Sequence, residues 1–254
     1  STSGLATGQR MPINLCLVLD QSTSMKGARL HQVKEAARYI VDQIGPEDIL
    51  SVVSFNDRAH LVVPGDPQID KLAARAAISG IRSGGGTEIY RGLELGLQQV
   101  ERWHSPDRVS LLILLTDGQT YGDKQACLEA ARLAGERGIP ITTMGIGSDW
   151  NDRLLDEMSS LSNSPGSSYY IDTIPKIAEV FHDRIQGLGN ILAHNVSLSI
   201  HQGDQVSPSQ VFRVSPSISQ LVLVDGRVAL GSLDTRHPQS LIVEFLVDSH
   251  APGT

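Results

Sequence analysis

Val109 to Leu115 (VSLLILL) and Ile13 to Leu19 (INLCLVL) each carry a single polar residue in seven. Runs this short and this apolar read as strands covered on both faces, since a half-exposed strand would alternate. A chain that contains such strands needs helices on either side of them. The segments between supply those helices. After the first run, Leu30, Val33, Ala37, Ile40, Val41 and Ile44 recur at helical spacing, up to a Gly45-Pro46 stop. Ile49 to Phe55 reads as a second strand and Ala59 to Val63 as a third, joined at Asn56-Asp57 in a hairpin. A helix is expected from Pro67 to about Ile81. Another starts at Glu88 and buries Ile89, Leu93, Leu97 and Val100.

The same alternation continues past the fourth strand, Val109 to Leu115. Lys124 to Arg137 is expected as a helix with Cys127, Ala130, Ala131 and Ala134 inward, and Ile139 to Ile146 as a strand. A short helix from Asp149 to Ser159, a serine-rich loop to Ser168, a strand at Tyr169 to Ile171 and a helix from Ile174 to Leu188 complete the series. The expected architecture is α/β: a doubly wound, mostly parallel six-stranded sheet with helices on both faces, the third strand being an antiparallel edge.

Beyond Gly189 the apolar period changes to two. Val196, Leu198 and Ile200 set the pattern, short runs follow to Val247, and Asp225-Gly226 signals a hairpin. The expected division is residues 1–190 as the α/β domain and 191–254 as a small all-β module, sandwich-like and too small for a large core of its own.

Charge and motifs narrow the function. The formal net charge is -7 and no basic stripe is present, which argues against nucleic-acid binding. No apolar run reaches membrane-spanning length and no signal peptide precedes the first strand. The chain does not begin with Met, so no compartment follows from that. Cys16 and Cys127 read as reduced core residues. The histidines lack metal spacing. Neither a phosphate loop nor a G-x-S-x-G elbow occurs, and Gly145-Ile146-Gly147 lacks the third glycine of a dinucleotide site.

In an open doubly wound sheet, ligands bind beyond the carboxyl ends of the strands, where the strand order reverses. With the common order, the first and fourth strands are neighbours there. The residues leaving them are Asp20-Gln21-Ser22-Thr23-Ser24 and Thr116-Asp117-Gly118, and the Gly84-Gly85-Gly86-Thr87 loop reaches the same rim. Two carboxylates and several hydroxyls would gather there. Such oxygen donors suit a hard cation, Mg²⁺ or else Mn²⁺ or Ca²⁺, rather than zinc. An ion held mainly by hydroxyls stays poorly neutralised and would accept an anionic oxygen from outside. Each residue also has a plainer reading. Asp20 can form an Asx turn, Ser22 and Ser24 can cap the next helix, Thr87 can cap the helix at Glu88, and Asp117-Gly118 can simply turn.

The runs LVLDQSTSMKG, GGGTEIYRGL and LLILLTDGQ resemble, in order, the three metal-site loops of von Willebrand factor type A domains. ITTMGIGSDWNDRLLDEMSS and SSYYIDTIPKIAEVF resemble their last third. The resemblance covers about residues 11 to 190. It implies a metal-ion-dependent adhesion site in which Ser22, Ser24 and Thr87 contact the ion and Asp20 and Asp117 hold it, partly through water. The last position would go to an Asp or Glu carboxylate of a protein partner, and no catalysis is implied. Met25, Gly27 and the β tail are similar to a subgroup of bacterial proteins related to inter-alpha-trypsin inhibitor heavy chains and calcium-activated chloride channel-like proteins. Two other readings stand beside this one. The first is a metal-dependent phosphoester hydrolase with Asp20 or Asp117 as base or nucleophile, although Ser22 stands where such enzymes want a second Asp. The second is a scaffold domain of a larger assembly.

Overall fold

The computed structural model describes residues 11–117, 120, 122–147, 152–162, 168–171, 173, 175–176, 179–181, 191–200, 206–215, 219–224, 226–234 and 239–247. The chain divides into two compact units, Ser1–Ile185 and Gln186–Thr254.

In the first unit, β1 (Ile13–Asp20), β2 (Ile49–Phe55), β3 (Ala59–Asp66), β4 (Val109–Thr116), β5 (Ile141–Ile146) and β6 (Ser168–Ile171) form one sheet in the order β3-β2-β1-β4-β5-β6. Every neighbouring pair is parallel except β2 and β3, the hairpin at the edge. The order reverses between β1 and β4. Leu19 lies opposite Leu115, so Asp20 and Thr116 leave the sheet side by side.

Helices accompany the strands: α1 (Ala28–Gln43), α2 (Lys71–Gly80), α3 (Ile89–Arg102), α4 (Lys124–Glu136) and α5 (Asp152–Leu161). β1, β2, β4 and β5 are buried along their whole length. On one face, Cys16, Val18, Val53, Phe55, Leu112 and Leu114 pack with Ile89, Leu93 and Val100 of α3, Cys127 and Ala131 of α4, and Leu154, Leu155 and Met158 of α5. The pleat turns Leu15, Leu17 and Leu19 to the other face. There α1 contacts both β1 and α2 and buries Leu30, Val33, Ala37, Ile40 and Val41. The single polar residues of the two apolar runs meet each other: the Asn14 Nδ2 group donates to Ser110 Oγ at 3.1 Å and to Val100 O at 2.8 Å. Both cysteines are free and buried, and burial pushes the Cys16 thiol up to about 12.

α3 lies unusually close to the sheet because Gly92 and Gly96 face it. A Cβ at Gly92 would fall 2.6 Å from Phe55 Cδ1, and one at Gly96 would fall 2.6 Å from Val18 Cγ2. A side chain at either position would lift the helix away from β1 and β2.

Several boundaries differ from expectation, and β3 runs three residues past Val63 to Asp66. α2 starts at Lys71 rather than Pro67. Asp66 Oδ1 accepts from Gln68 N in a local turn, and Asp70 then caps the helix by accepting from Ala73 N at 3.0 Å. β5 starts at Ile141, because Pro140 has no N–H for a strand ladder. α5 runs through Ser159 and Ser160 to Leu161, where a loop was expected. Ser159 is tolerated in the core because its hydroxyl meets Thr143 Oγ1 at 3.0 Å. Of the expected helix from Ile174 to Leu188, Pro175, Lys176, Glu179, Val180 and Phe181 are helical, and the rest lies outside the described residues.

The second unit is all β. β7 (Ile191–Ser199), β8 (Val206–Ser215), β9 (Ser219–Leu221), β10 (Leu223–Val224), β11 (Arg227–Asp234) and β12 (Ser240–Val247) form two three-stranded sheets, β10-β11-β7 and β12-β8-β9. Val211 of one sheet and Val228 and Leu230 of the other are the buried centre, with Val196, Leu198, Leu221, Leu241 and Val243 packed around them. The hairpin expected at Asp225-Gly226 joins β10 to β11, with Gly226 at φ +72°.

Candidate metal centre

Asp20 is the last residue of β1 and is fully buried. Its Oδ1 accepts from Ser22 N at 2.7 Å, the bond of an Asx turn. Its Oδ2 accepts from Thr116 Oγ1 at 2.7 Å, which joins the ends of β1 and β4 directly. Both carboxylate oxygens therefore have donors. Burial nevertheless pushes this carboxyl up to about 6. The hydrogen bonds from Ser22 and Thr116 pull it down, and the charge of Asp117 adds a smaller upward push. An ionised Asp20 at neutral pH is a strained charge that a nearby cation would relieve.

The segment after Asp20 is a one-turn 3-10 helix, Thr23–Met25, with Ser22 at its N-cap. The Ser22 side chain makes no capping bond, which removes its plainer reading. Its Oγ instead lies 3.0 Å from Ser24 Oγ, so the two hydroxyls form a pair. Gly27, at φ +87°, then turns the chain into α1.

The glycine loop is fastened to this segment. Gly85 O accepts from Thr23 N at 3.2 Å and from Thr23 Oγ1 at 2.8 Å, while Gly84 N donates to Gln21 O at 2.8 Å. The β2–β3 turn joins them, since Asn56 Nδ2 donates to Gly84 O at 2.8 Å and Glu88 N donates to Asn56 O at 2.8 Å. Gly85 has φ +81°, and a Cβ there would fall 2.4 Å from Asp57 Oδ1. Glycine is thus required on two counts.

Thr87 is buried, and it is not the helix cap that its position suggested. The N-cap of α3 is Glu88, which makes no side-chain cap bond. The first N–H groups of α3 are satisfied from the loop after β4: Ile89 N donates to Thr120 Oγ1 at 3.3 Å and Tyr90 N to Asp123 Oδ2 at 2.7 Å. Thr120 Oγ1 in turn bonds Asp123 and lies 3.3 Å from Thr87 O. Thr87 is therefore gripped from the fourth-strand side through its own carbonyl.

Asp117 directly follows β4 and is buried. Its Oδ2 lies 3.5 Å from Arg29 Nη1. Among the described residues, its buried Oδ1 has no hydrogen-bond partner. A buried carboxylate oxygen without a donor is costly unless something cationic or a water meets it. Gly118, which the sequence placed on this rim, lies outside the described residues.

The donor set on this rim is two carboxylates and three hydroxyl-bearing residues. Among the described residues, no group of three or more His, Cys, Asp or Glu could hold a metal. An ion here would depend on hydroxyl oxygens for much of its contact. Sequence reasoning missed Thr116 as the partner of Asp20, Arg29 beside Asp117, and the Thr120–Asp123 pair. Thr116 was within reach, since it is a polar residue closing an apolar strand beside the first carboxylate.

A six-stranded sheet of this order, with these loops at its switch point, defines a class. The chain belongs to the von Willebrand factor type A domain family, whose model matches residues 14–183. It is 33% identical over 255 residues to the uncharacterized protein sll0103 of Synechocystis sp., covering 96% of this chain and 60% of that one. Bovine inter-alpha-trypsin inhibitor heavy chain H4 is 26% identical, over 94% of this chain and 27% of the heavy chain. The chain thus spans at most about three fifths of these relatives. Among solved structures, a von Willebrand factor type A protein from Catenulispora acidiphila superposes with a TM-score of 0.76 at 21% identity, over 96% of this chain and 60% of that one. Proximal thread matrix protein 1 of the mussel byssus, with a zinc-occupied MIDAS motif, superposes with a TM-score of 0.59 at 24% identity, over 70% of this chain and 46% of that one. Among the described residues, no helix is long and apolar enough to cross a membrane.

Proposed function

We propose that the first unit, extending over the expected domain 1–190, is a metal-dependent protein-binding module. Asp20, Ser22, Ser24, Thr87 and Asp117 would hold one divalent cation at the carboxyl end of the sheet. The observation that carries this reading is the contrast between the carboxylates. Asp20 is saturated by protein donors, whereas the buried Asp117 Oδ1 has none. In this reading Asp20 orients the loop and adds charge from behind, while Asp117 Oδ1 faces the ion or one of its waters. Ser22, Ser24 and Thr87 contribute neutral oxygens. A bound ion supplies a positive charge that this set leaves incompletely neutralised, and an Asp or Glu side chain of a protein partner is the natural complement.

The oxygen-only donors favour Mg²⁺, with Mn²⁺ and Ca²⁺ as alternatives. The MIDAS motif of the mussel protein is occupied by zinc, so Zn²⁺ belongs among the ions to be tested. Binding rather than catalysis is the reading favoured, because Asp20, the carboxylate that ends β1, is fully buried and accepts a hydrogen bond at each oxygen, which leaves it poorly posed as a base.

Affinity capture from the native source with the full chain, in Mg²⁺ and in EDTA, tests the reading together with calorimetry against Mg²⁺, Mn²⁺, Ca²⁺ and Zn²⁺. The expected result is a partner retained only with metal and lost in D117A, whose circular dichroism spectrum stays that of the wild type. A partner retained equally in EDTA would refute the metal bridge. Turnover of a phosphoester panel that disappears in D20N would favour a hydrolase instead.

A further inference from the structure

One cation is already built into the rim. The Arg29 guanidinium sits 3.5 Å from Asp117 Oδ2, too far for a strong hydrogen bond but within ion-pair range. It comes from the first turn of α1, immediately beyond the Asp20–Ser24 segment. The end of β5 makes room for it. Gly147, at φ +88°, has the Arg29 Nη2, Cζ and Nε atoms 2.8–2.9 Å from where a Cβ would stand. The guanidinium is two-thirds shielded and Asp117 almost wholly so, with side-chain exposures of 34% and 5%. The pair engages one carboxylate oxygen and leaves the other, Oδ1, without a partner.

We propose that Arg29 is a charge-setting and positioning residue of the metal site: it occupies the Oδ2 side of Asp117, fixes Oδ1 toward the ion's position, and holds the ion's affinity below what the five donors alone would give. This rests on the metal-binding reading above. Without a metal, Arg29 provides the positive charge that the buried Asp117 needs. With a metal, it stands within a few ångströms of a second cation and shares a carboxylate with it. Repulsion over such a distance in a partly shielded site is on the order of a tenfold change in affinity. The consequence is a site that gives up some metal affinity and keeps more positive potential for an acidic partner.

The test compares the wild-type full chain with R29Q and R29K, using calorimetry with Mn²⁺ at low and high salt and thermal melts in EDTA. The expected result is that R29Q binds Mn²⁺ about tenfold more tightly, by an amount that shrinks with salt as the repulsion is screened, while R29K stays near the wild type. R29Q should also melt at a lower temperature in EDTA and show a larger metal-induced gain, because its metal-free Asp117 has lost its counter-charge. Equal or weaker Mn²⁺ binding by R29Q, with uptake by the wild type, overturns the role of Arg29 alone. No uptake by the wild type overturns both this role and the metal-binding reading. Equal loss of affinity in R29Q and R29K shows a packing role and also overturns the proposal.

Discussion

Replacing Asp20 by Asn should stabilise the metal-free protein. The folded carboxyl sits at about 6 against an ordinary 3.8, chiefly because burial opposes its charge. That difference corresponds to about 3 kcal/mol at neutral pH. The sign follows from linkage. A carboxyl whose folded value is raised binds its proton more tightly in the folded state, so its favourable contribution is complete below pH 3.8 and is lost as pH rises through about 6. The amide of D20N cannot ionise, yet its oxygen can still accept from Ser22 N, and the Thr116 hydroxyl can rotate to accept from its nitrogen. Calorimetric melts of wild type and D20N in EDTA across pH 4 to 8 should show the variant more stable by up to about 3 kcal/mol at pH 7.5. That is worth roughly 6–12 °C in a domain of this size, and the gap should close toward pH 4. With Mg²⁺ at a thousandfold excess over Kd the order should reverse, since only the wild type gains binding energy, about 4.1 kcal/mol. A D20N protein that is no more stable than wild type in EDTA at pH 7.5 would show that Asp20 carries no buried-charge cost and would refute the reasoning.

Three further changes probe the support around the site. G96A places a methyl 2.6 Å from Val18 Cγ2 and 3.0 Å from Leu112 Cδ1, so overpacking should cost about 1–3 kcal/mol in urea denaturation. G80A, with open space around it, should be neutral or slightly stabilising. D123A removes the acceptor of Tyr90 N and should cost about 1 kcal/mol. It should also speed hydrogen exchange at that amide and weaken Mn²⁺ binding through Thr87, while leaving Asp20 untouched.

The strands were legible because burial on both faces leaves a plain mark, as in Val109 to Leu115, and because the hairpin at Asn56-Asp57 carries its own turn chemistry. The meeting of Asp20 with the fourth strand was legible from a general rule of open sheets, and the register that sets Leu19 against Leu115 bears it out. Local competition hid the rest. Pro67 looked like a helix start, but Asp66 and Asp70 each claimed a backbone N–H and delayed it. The stretch just past Ser159 looked like loop because serine usually is, and the burial of Ser159 within α5 depends on a distant threonine. Arg29 and Asp123 gave no signal because an ion pair or a side-chain hydrogen bond between segments far apart in the chain leaves no period or spacing in the sequence. Gly92 and Gly96 were visible as residues, but not as the reason α3 can approach β1.

The lacing of the three rim loops has a consequence for how such a protein can change. Between the Asp20–Ser24 segment, the glycine loop and the β2–β3 turn, Gln21, Gly84 and Glu88 take part through backbone atoms, while Thr23 and Asn56 commit side chains. The frame is thus largely indifferent to what its residues display. Lys26 and Gly86 stand exposed around the buried Ser22 and Thr87. Substitution at such outward positions can change the exposed surface of the rim while the inner scaffold stays intact. The architecture separates the part that must stay fixed from the part that is free to vary.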